Sequence, residues 1–380
     1  MTNVYITRIS KFLPNESVSN DEMEQHLGLI NKTPSKSKKI VLRNNGIKSR
    51  YYAIDKEGKA THTNSEMASL AIKKLFENNP EEIKDIDLLS CGTSSPDQMM
   101  PSHGVMVHGC LPETKNIEVV SLAGVCCSAM HAFKYAFMSV KLGDKNKAVS
   151  SASERLSPIL RAEQYEEEVK QLIELEENPY IAFKKDFLRW MLSDGAGAFL
   201  LENKKNPDGI SLKIDWIEAC SFANSKESCL YMAADKLADG KLKSYKDFSP
   251  NEIISNSIFS MKQDIKLLSE NIVKLGFDKL KDILDEKNQN IDIVDHFLPH
   301  TSSCFFEDKI ADILETNGIG IPKEKWFTNL RTIGNVGASS IYIMLEELFN
   351  SGKLKKGQKI LLAVPESSRF SYVFSLLTVC

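Results

Sequence analysis

Apolar and polar positions alternate from Met1 to Leu13, with Val4 and Ile6 on one side, which predicts an opening β-strand. Met67, Leu70, Ala71 and Leu75 recur at helical spacing, predicting a helix over Ser65 to Asn78. Ile86 to Cys91 is a short apolar run. Ile117 to Leu122 is rich in β-branched residues, and Ala148 to Ser153 follows the same pattern. Each reads as a strand. Between the last two, Ala132 to Leu142 continues as an apolar helix. Ser19 followed by Asp21 and Glu22 predicts a helix start, with acids near the positive end of the dipole. Thr93 to Asp97 is a turn cluster. Strands alternating with helices predict an α/β fold with helix-covered sheets.

Two stretches change this picture. Arg161 to Trp190 breaks the rhythm with a charged helical pattern carrying Glu163, Glu166, Glu167, Glu168, Glu174, Glu176 and Glu177, as expected of an insertion that caps something. Lys204 to Asp208 reads as a hinge, dividing the chain into 1–204 and 205–380. The second part then repeats the first in outline. Gly334 to Ser340 opens a helix over Ile341 to Phe349, as Gly124 to Ser128 opens the earlier one. After each helix come a Gly- and Lys-containing turn, an apolar strand and a glutamate: Gly143 to Glu154, then Gly352 to Glu366. This suggests an internal duplication.

Composition narrows the classes. The chain has 380 residues, 42% hydrophobic and 26% charged, the profile of a soluble globular protein. A net charge of −3 argues against a nucleic-acid-binding surface as the main function. Apolar runs such as Ile360 to Pro365 fall far short of the roughly 20 residues of a spanning helix. The N-terminus has no apolar signal-peptide core, so a cytoplasmic location is expected. The eight cysteines show no metal-ligand spacing, so no metal site and reduced thiols are expected. Lys32 to Arg50 carries seven basic residues and no acid, either as a solvated loop or as a surface meeting an anionic carrier.

Three positions have the chemistry of a site. Cys127 lies at a strand-to-helix junction, where unpaired amides and the helix dipole favour a thiolate, with small neighbours Gly124, Ser128 and Ala129. His300 follows the apolar approach Phe297-Leu298-Pro299. Asn335 sits in Gly334-Asn335-Val336-Gly337. Each alone reads equally as packing or capping. The order Cys, His, Asn is far more specific. Glu154, after a strand directed at the same region, is a candidate auxiliary acid or base, and His131 lies one helical turn beyond Cys127. Met99, Met100 and Met106 could line a tunnel or fill a core.

With those residues in view, the chain resembles the ketoacyl-acyl-carrier-protein synthase III branch of the thiolase-fold condensing enzymes, along nearly its whole length. Ile86 to Asp97 with Pro101-Ser102 is similar to the family's first conserved stretch. Val125-Cys126-Cys127-Ser128-Ala129 is similar to the nucleophile motif, placing the nucleophile at Cys127 rather than Cys126. Asp194 to Ala198 matches a glycine-rich turn, and Phe297 to His300 and Gly334-Asn335 match the His and Asn motifs. Within the family, Leu42 to Tyr52 and Pro365 to Ser371 most resemble the ketosynthase/cyclases of dialkylresorcinol and flexirubin-type pathways. Three features depart from the family pattern. Thr301-Ser302-Ser303 follows His300 where the family has Gln-Ala-Asn, Asn44 to Ile47 replaces a basic-Thr-Gly-Ile motif, and the insertion is long.

The resemblance implies two pseudo-symmetric halves in a five-layered α-β-α-β-α thiolase-like fold. It implies Cys127, His300, Asn335 and Glu154 as catalytic residues and Gly337 and Arg369 as substrate-binding ones. The implied reaction joins an α,β-unsaturated acyl thioester to a 3-ketoacyl thioester through an acyl-cysteine, giving a cyclohexanedione. The alternative is chain initiation from acyl-coenzyme A and a malonyl carrier. No cofactor is called for beyond the thioester of coenzyme A or acyl carrier protein. A homodimer and a carrier-protein partner are expected, docked at Lys32 to Arg50 or at Lys262, Lys266 and Lys274.

Overall fold

The computed structural model describes residues 2–35, 37–165 and 188–380. Nine strands form the main sheet: β1 (Tyr5–Phe12), β2 (Leu88–Thr93), β3 (Glu118–Ala123), β4 (Lys147–Glu154), β5 (Gly195–Glu202), β6 (Leu212–Ser221), β7 (His296–Pro299), β8 (Lys359–Glu366) and β9 (Ser371–Val379). Their spatial order is β7-β8-β9-β6-β1-β5-β4-β2-β3. The helices that cover them are α1 (Asn64–Lys74), α2 (Cys126–Leu142), α3 (Ile265–Glu286), α4 (Cys304–Thr316) and α5 (Ser340–Phe349).

The duplication is visible in the pairing. In the first half β2 runs parallel to β4, β4 antiparallel to β5, and β5 antiparallel to β1. In the second, β7 runs parallel to β8, β8 antiparallel to β9, and β9 antiparallel to β6. The two sets join through a short seam, Tyr5 opposite Lys213 and Ile6 opposite Leu212. The two sheets expected of a five-layered fold are therefore hydrogen-bonded into one continuous sheet that folds back on itself.

Strand alternation builds the layers, because successive side chains point to opposite faces. On β8, Ile360, Leu362 and Val364 enter the central core, while Leu361 and Ala363 enter the core beneath α3 and α4. On β5, Phe199 and Leu201 face the central core, and Ala196, Ala198 and Leu200 face α1. The central core holds α2 and α5, through Phe133, Phe137, Tyr342 and Leu345. Tyr342 stacks on Phe199 at 3.8 Å between ring centroids. The sequence of layers is α1, half sheet, α2 with α5, half sheet, α3 with α4. α1 starts with a reciprocal capping box between Thr63 and Glu66.

Several expectations change in detail. The stretch from Lys32 to Arg50 is not a solvated loop: it contains a helix over Lys38–Asn45, Lys38 pairs with Glu24 at 2.7 Å, and Arg50 is buried. Lys39, Arg43 and Lys48 remain exposed. The helix predicted after Ser19 is a single short turn, Met23–Leu27, and Ser19 hydrogen-bonds Glu22 instead of capping it. The insertion expected at Arg161 to Trp190 lies mostly outside the described residues. At its downstream end Arg189 is buried and donates to the carbonyls of Leu160 and Leu27, both at 2.8 Å. Among the described residues no helix is long and apolar enough to cross a membrane.

Candidate active site

One large cavity opens where the C-terminal ends of β7 and β8 meet the N-termini of α2 and α5. It is lined at that end by Ser94, Val125, Cys126, His300, Thr301, Asn335 and Gly337. The structure thus brings His300 and Asn335 together with a cysteine. That cysteine is Cys126, one residue before the one expected. Consecutive helical side chains diverge by about 100°, so the two thiols face different neighbours. Cys126 lines the cavity at 9% exposure. Cys127 is 1% exposed and donates its thiol to the Val364 carbonyl at 3.3 Å.

The expected thiolate-favouring helix terminus is also occupied. Glu366, the last residue of β8, accepts from the amides of Val125 at 3.0 Å and Cys127 at 2.9 Å through one carboxylate oxygen. Burial first, and then the Glu366 charge, push the thiols of both Cys126 and Cys127 well above the ordinary range. The resting cysteine is a thiol.

His300 follows β7, and its amide continues the ladder to the Ala363 carbonyl at 2.8 Å. Burial pulls its imidazole down to about 4, so it is neutral at physiological pH and carries one N–H. Its Nδ1 has no hydrogen-bond partner within the protein. Asn335 is fixed by its backbone, which bonds to Met191 at 3.0 Å and Ser193 at 2.9 Å. Its Oδ1 accepts from the Gly337 amide at 3.0 Å. The side-chain nitrogen is therefore what Asn335 can offer the cavity as a donor.

Glu154 is not presented to the cavity. It is fully buried, accepting from Ser94 N at 2.9 Å, Ser94 Oγ at 2.8 Å, Ser95 Oγ at 2.5 Å and Ala338 N at 3.2 Å. Burial raises its carboxyl against the pull of those bonds. It fastens the Ser94 loop to the turn that carries Asn335, which is a positioning task. Gly337 lines the cavity with φ +52°, and a Cβ there would sit 3.0 Å from Glu154 Cγ, so a larger residue would be strained and would press on Glu154. Arg369 lies away from the cavity: it is exposed, and its Nε donates to the Lys226 carbonyl at 2.7 Å. Met99 and Met100 are exposed and do not line the cavity, nor do Met106 and His131. Asp194 of the glycine-rich turn is a buried hub that accepts from Ala53 N at 2.7 Å and Ser157 N at 2.9 Å.

Sequence reasoning missed Ser94, Glu366 and the placement of Cys126 in the cavity wall. The repeat that paired Glu154 with Glu366 was a usable signal for the second of these.

Residues 284–364 match the family described as 3-Oxoacyl-[acyl-carrier-protein (ACP)] synthase III C terminal. The β-ketoacyl-[acyl-carrier-protein] synthase III of Clostridium perfringens is 26% identical over 365 residues, 95% of this chain and 95% of its own. Among solved structures, the tetronic acid condensing enzyme AbyA1 superposes with a TM-score of 0.77 at 18% identity, covering 99% of each chain. OleA of Xanthomonas campestris, solved with lauric acid and lauroyl-CoA bound, gives 0.74 at 18% identity, again over 99% of each chain. The fold is the thiolase-like α/β fold of these proteins.

Proposed function

From its similarity to the 3-oxoacyl-[acyl-carrier-protein] synthase III condensing enzymes, we propose that this chain joins two acyl thioesters by a carbon–carbon bond, with Cys126 as the nucleophile. The observation that carries the reading is the meeting of Cys126, His300 and Asn335 at one end of a single cavity. Cys126 attacks the first thioester carbonyl. Its proton passes to the departing thiolate of coenzyme A or acyl carrier protein, and an acyl-cysteine remains. The carbonyl oxygen of the second thioester then accepts from His300 and from the Asn335 side-chain nitrogen. Two neutral donors on one oxygen stabilise the enolate as the α-proton leaves to solvent at the cavity mouth. The enolate carbon attacks the acyl carbon, the C–S bond breaks, and the departing Cys126 thiolate takes a proton back from solvent, which regenerates the thiol.

The finer reading is a ketosynthase/cyclase that combines a 3-ketoacyl with an α,β-unsaturated acyl thioester into a cyclohexanedione precursor of dialkylresorcinols. The apolar lining of the cavity supports an extended acyl substrate. Chain initiation from acyl-coenzyme A and a malonyl carrier is the second reading, favoured by the full-length similarity to synthase III of Clostridium perfringens. The partners proposed are an acyl carrier protein and a second copy of the chain. In support of the latter, β3 ends the sheet with Val119, Val120 and Leu122 half exposed. The proposed location is the cytoplasm.

Product analysis tests the reading. The protein is incubated with paired 3-ketoacyl and enoyl thioesters, and separately with acetyl-coenzyme A and malonyl carrier. A cyclic dione from the first pair is the expected result. A linear 3-ketoacyl carrier from the second pair alone favours initiation, and no condensation from either pair overturns the proposal.

A further inference from the structure

Most polar side chains in the cavity wall are already engaged. His300 and Asn335 are assigned to the thioester oxygen. Ser94 donates to Glu154 at 2.8 Å, and the Tyr372 hydroxyl donates to the Ile272 carbonyl at 2.8 Å. Gln263, Thr301, Ser302 and Ser367 remain. Thr301 is 6% exposed, and its Oγ1 has no hydrogen-bond partner. Gln263, equally buried, donates its Nε2 to Ser367 Oγ at 3.1 Å. Ser367 is the acceptor in that bond, and its own proton has no acceptor among the described residues.

Thr301 directly follows His300. Ser367 directly follows Glu366, whose carboxylate sits on the amides flanking Cys126. β7 and β8 are parallel neighbours with Pro299 opposite Ala363, so both hydroxyls leave the sheet at one edge, the edge that carries the site. Buried polar groups in folded proteins are almost always paired. A free hydroxyl in a largely apolar wall is costly unless a ligand supplies its partner. Both groups have a proton to give, so the ligand atom they fit is an acceptor oxygen. A saturated or enoyl chain has no such atom beyond its thioester carbonyl. A 3-oxoacyl chain has one, two carbons further along.

We infer that Thr301 and Ser367, the latter oriented by Gln263, form a subsite for the 3-oxo oxygen of a 3-oxoacyl thioester. The subsite selects the second substrate, the one whose thioester carbonyl lies at His300 and Asn335. When its C2 proton leaves to solvent, the negative charge spreads over both carbonyl oxygens, and the hydroxyls meet the share on the 3-oxo oxygen. The inference deepens the condensing-enzyme reading and rests on it for the enolate step, but recognition of the 3-oxo group does not require that step.

The test is calorimetric binding of 3-oxooctanoyl- and octanoyl-coenzyme A to Cys126→Ala protein. The two ligands differ only at C3, so contacts of the pantetheine arm cancel in the ratio of affinities. A neutral hydrogen bond is worth about fivefold in affinity, so the 3-oxo ligand should bind roughly twentyfold more tightly. Thr301→Val and Ser367→Ala, each added to that background, should lower the ratio about fivefold. Thr301→Ser, which keeps the hydroxyl, should leave it near its starting value. Thr301→Val removes a hydroxyl with no partner in the protein, so the melting temperature should not fall; a clear fall would show the hydroxyl already paired and overturn the subsite. Equal affinity for the two ligands, or a ratio unchanged in both Thr301→Val and Ser367→Ala, also overturns it. So does an equal weakening of both ligands, which would place the hydroxyls on the pantetheine arm. A 3-oxo preference that both variants reduce, with no condensation from any thioester pair, leaves the subsite standing and fails the condensing reading. Condensation without any 3-oxo preference does the reverse.

Discussion

Glu154 and Glu366 end equivalent strands of the two halves, and each reaches across to the helix that belongs to the other half. Glu154, from the first half, accepts from Ala338 at the turn leading into α5. Glu366, from the second, accepts from Val125 and Cys127 at the start of α2. The duplication has thus produced an exchanged pair of carboxylate caps at helix N-termini, where negative charge is favourable. What surrounds them differs. Glu154 is sealed and also holds Ser94 and Ser95. Glu366 is 7% exposed, with Ser368 as its other side-chain partner and with neighbours Pro365 and Ser367 in the cavity wall. One copy fastens the Asn335 turn, and the other places a charge beside the Cys126 thiol that lines the cavity. The same local geometry is sealed in one half and meets the cavity in the other.

The largest expected difference is in stability. Glu154→Ala strands the buried Ala338 amide together with the part-buried donors of Ser94 and Ser95, at about 1–3 kcal/mol for each donor that water does not reach, and should destabilise the protein by about 3–5 kcal/mol. Glu366→Ala, next to the cavity where water can replace the carboxylate, should cost about 1–2 kcal/mol. Urea denaturation of both variants checks the ordering, and equal losses would break the contrast.

Acid titration sharpens the comparison by its sign. Burial holds His300 at about 4, below its unfolded value, so the unfolded chain binds the extra proton first. The stability this group contributes is present above about pH 6.5 and is lost as pH falls to about 4, by up to roughly 3 kcal/mol. His103, held at about 4 by burial, acts in the same direction. Glu154, whose folded carboxyl is raised, opposes them, because the folded state gains its proton first as pH falls. Melting temperature against pH should therefore fall less steeply in His300→Gln and more steeply in Glu154→Gln than in the parent.

The smallest expected effect is on the thiol. Removing the Glu366 charge lowers the proton affinity of Cys126, so Glu366→Gln should alkylate with iodoacetamide at neutral pH several-fold faster than the parent. One unit of thiol pKa corresponds to about tenfold in thiolate. Glu154→Gln should change the rate less, since Glu366 is the stronger of the two charges at Cys126.

Much of this was legible in the residues. The strand Lys359–Glu366 contains the apolar run Ile360 to Pro365 with one residue more at each end, and His300 and Asn335 line the cavity from a strand end and a turn. The duplication read from two helix–turn–strand–Glu repeats reappears in the sheet pairing. What failed was phase. A motif locates the cysteine pair at a helix start, but a single residue rotates a helical side chain by about 100°. Only the packing of Cys127 against Val364 decides which thiol faces out. Arg369 failed for a similar reason: it lies three residues from Glu366, but the turn after β8 carries it to the surface. The basic stretch misled because charge count does not reveal that Arg50 is buried, with Asn20 and the Trp190 carbonyl as its partners.

The central claim is that Cys126 is the nucleophile. Intact mass spectrometry after brief exposure to an acyl-coenzyme A tests it most directly, on the parent, Cys126→Ala and Cys127→Ala proteins. The account predicts one acyl adduct on the parent and on Cys127→Ala, and none on Cys126→Ala. An adduct that persists in Cys126→Ala and vanishes in Cys127→Ala would contradict it.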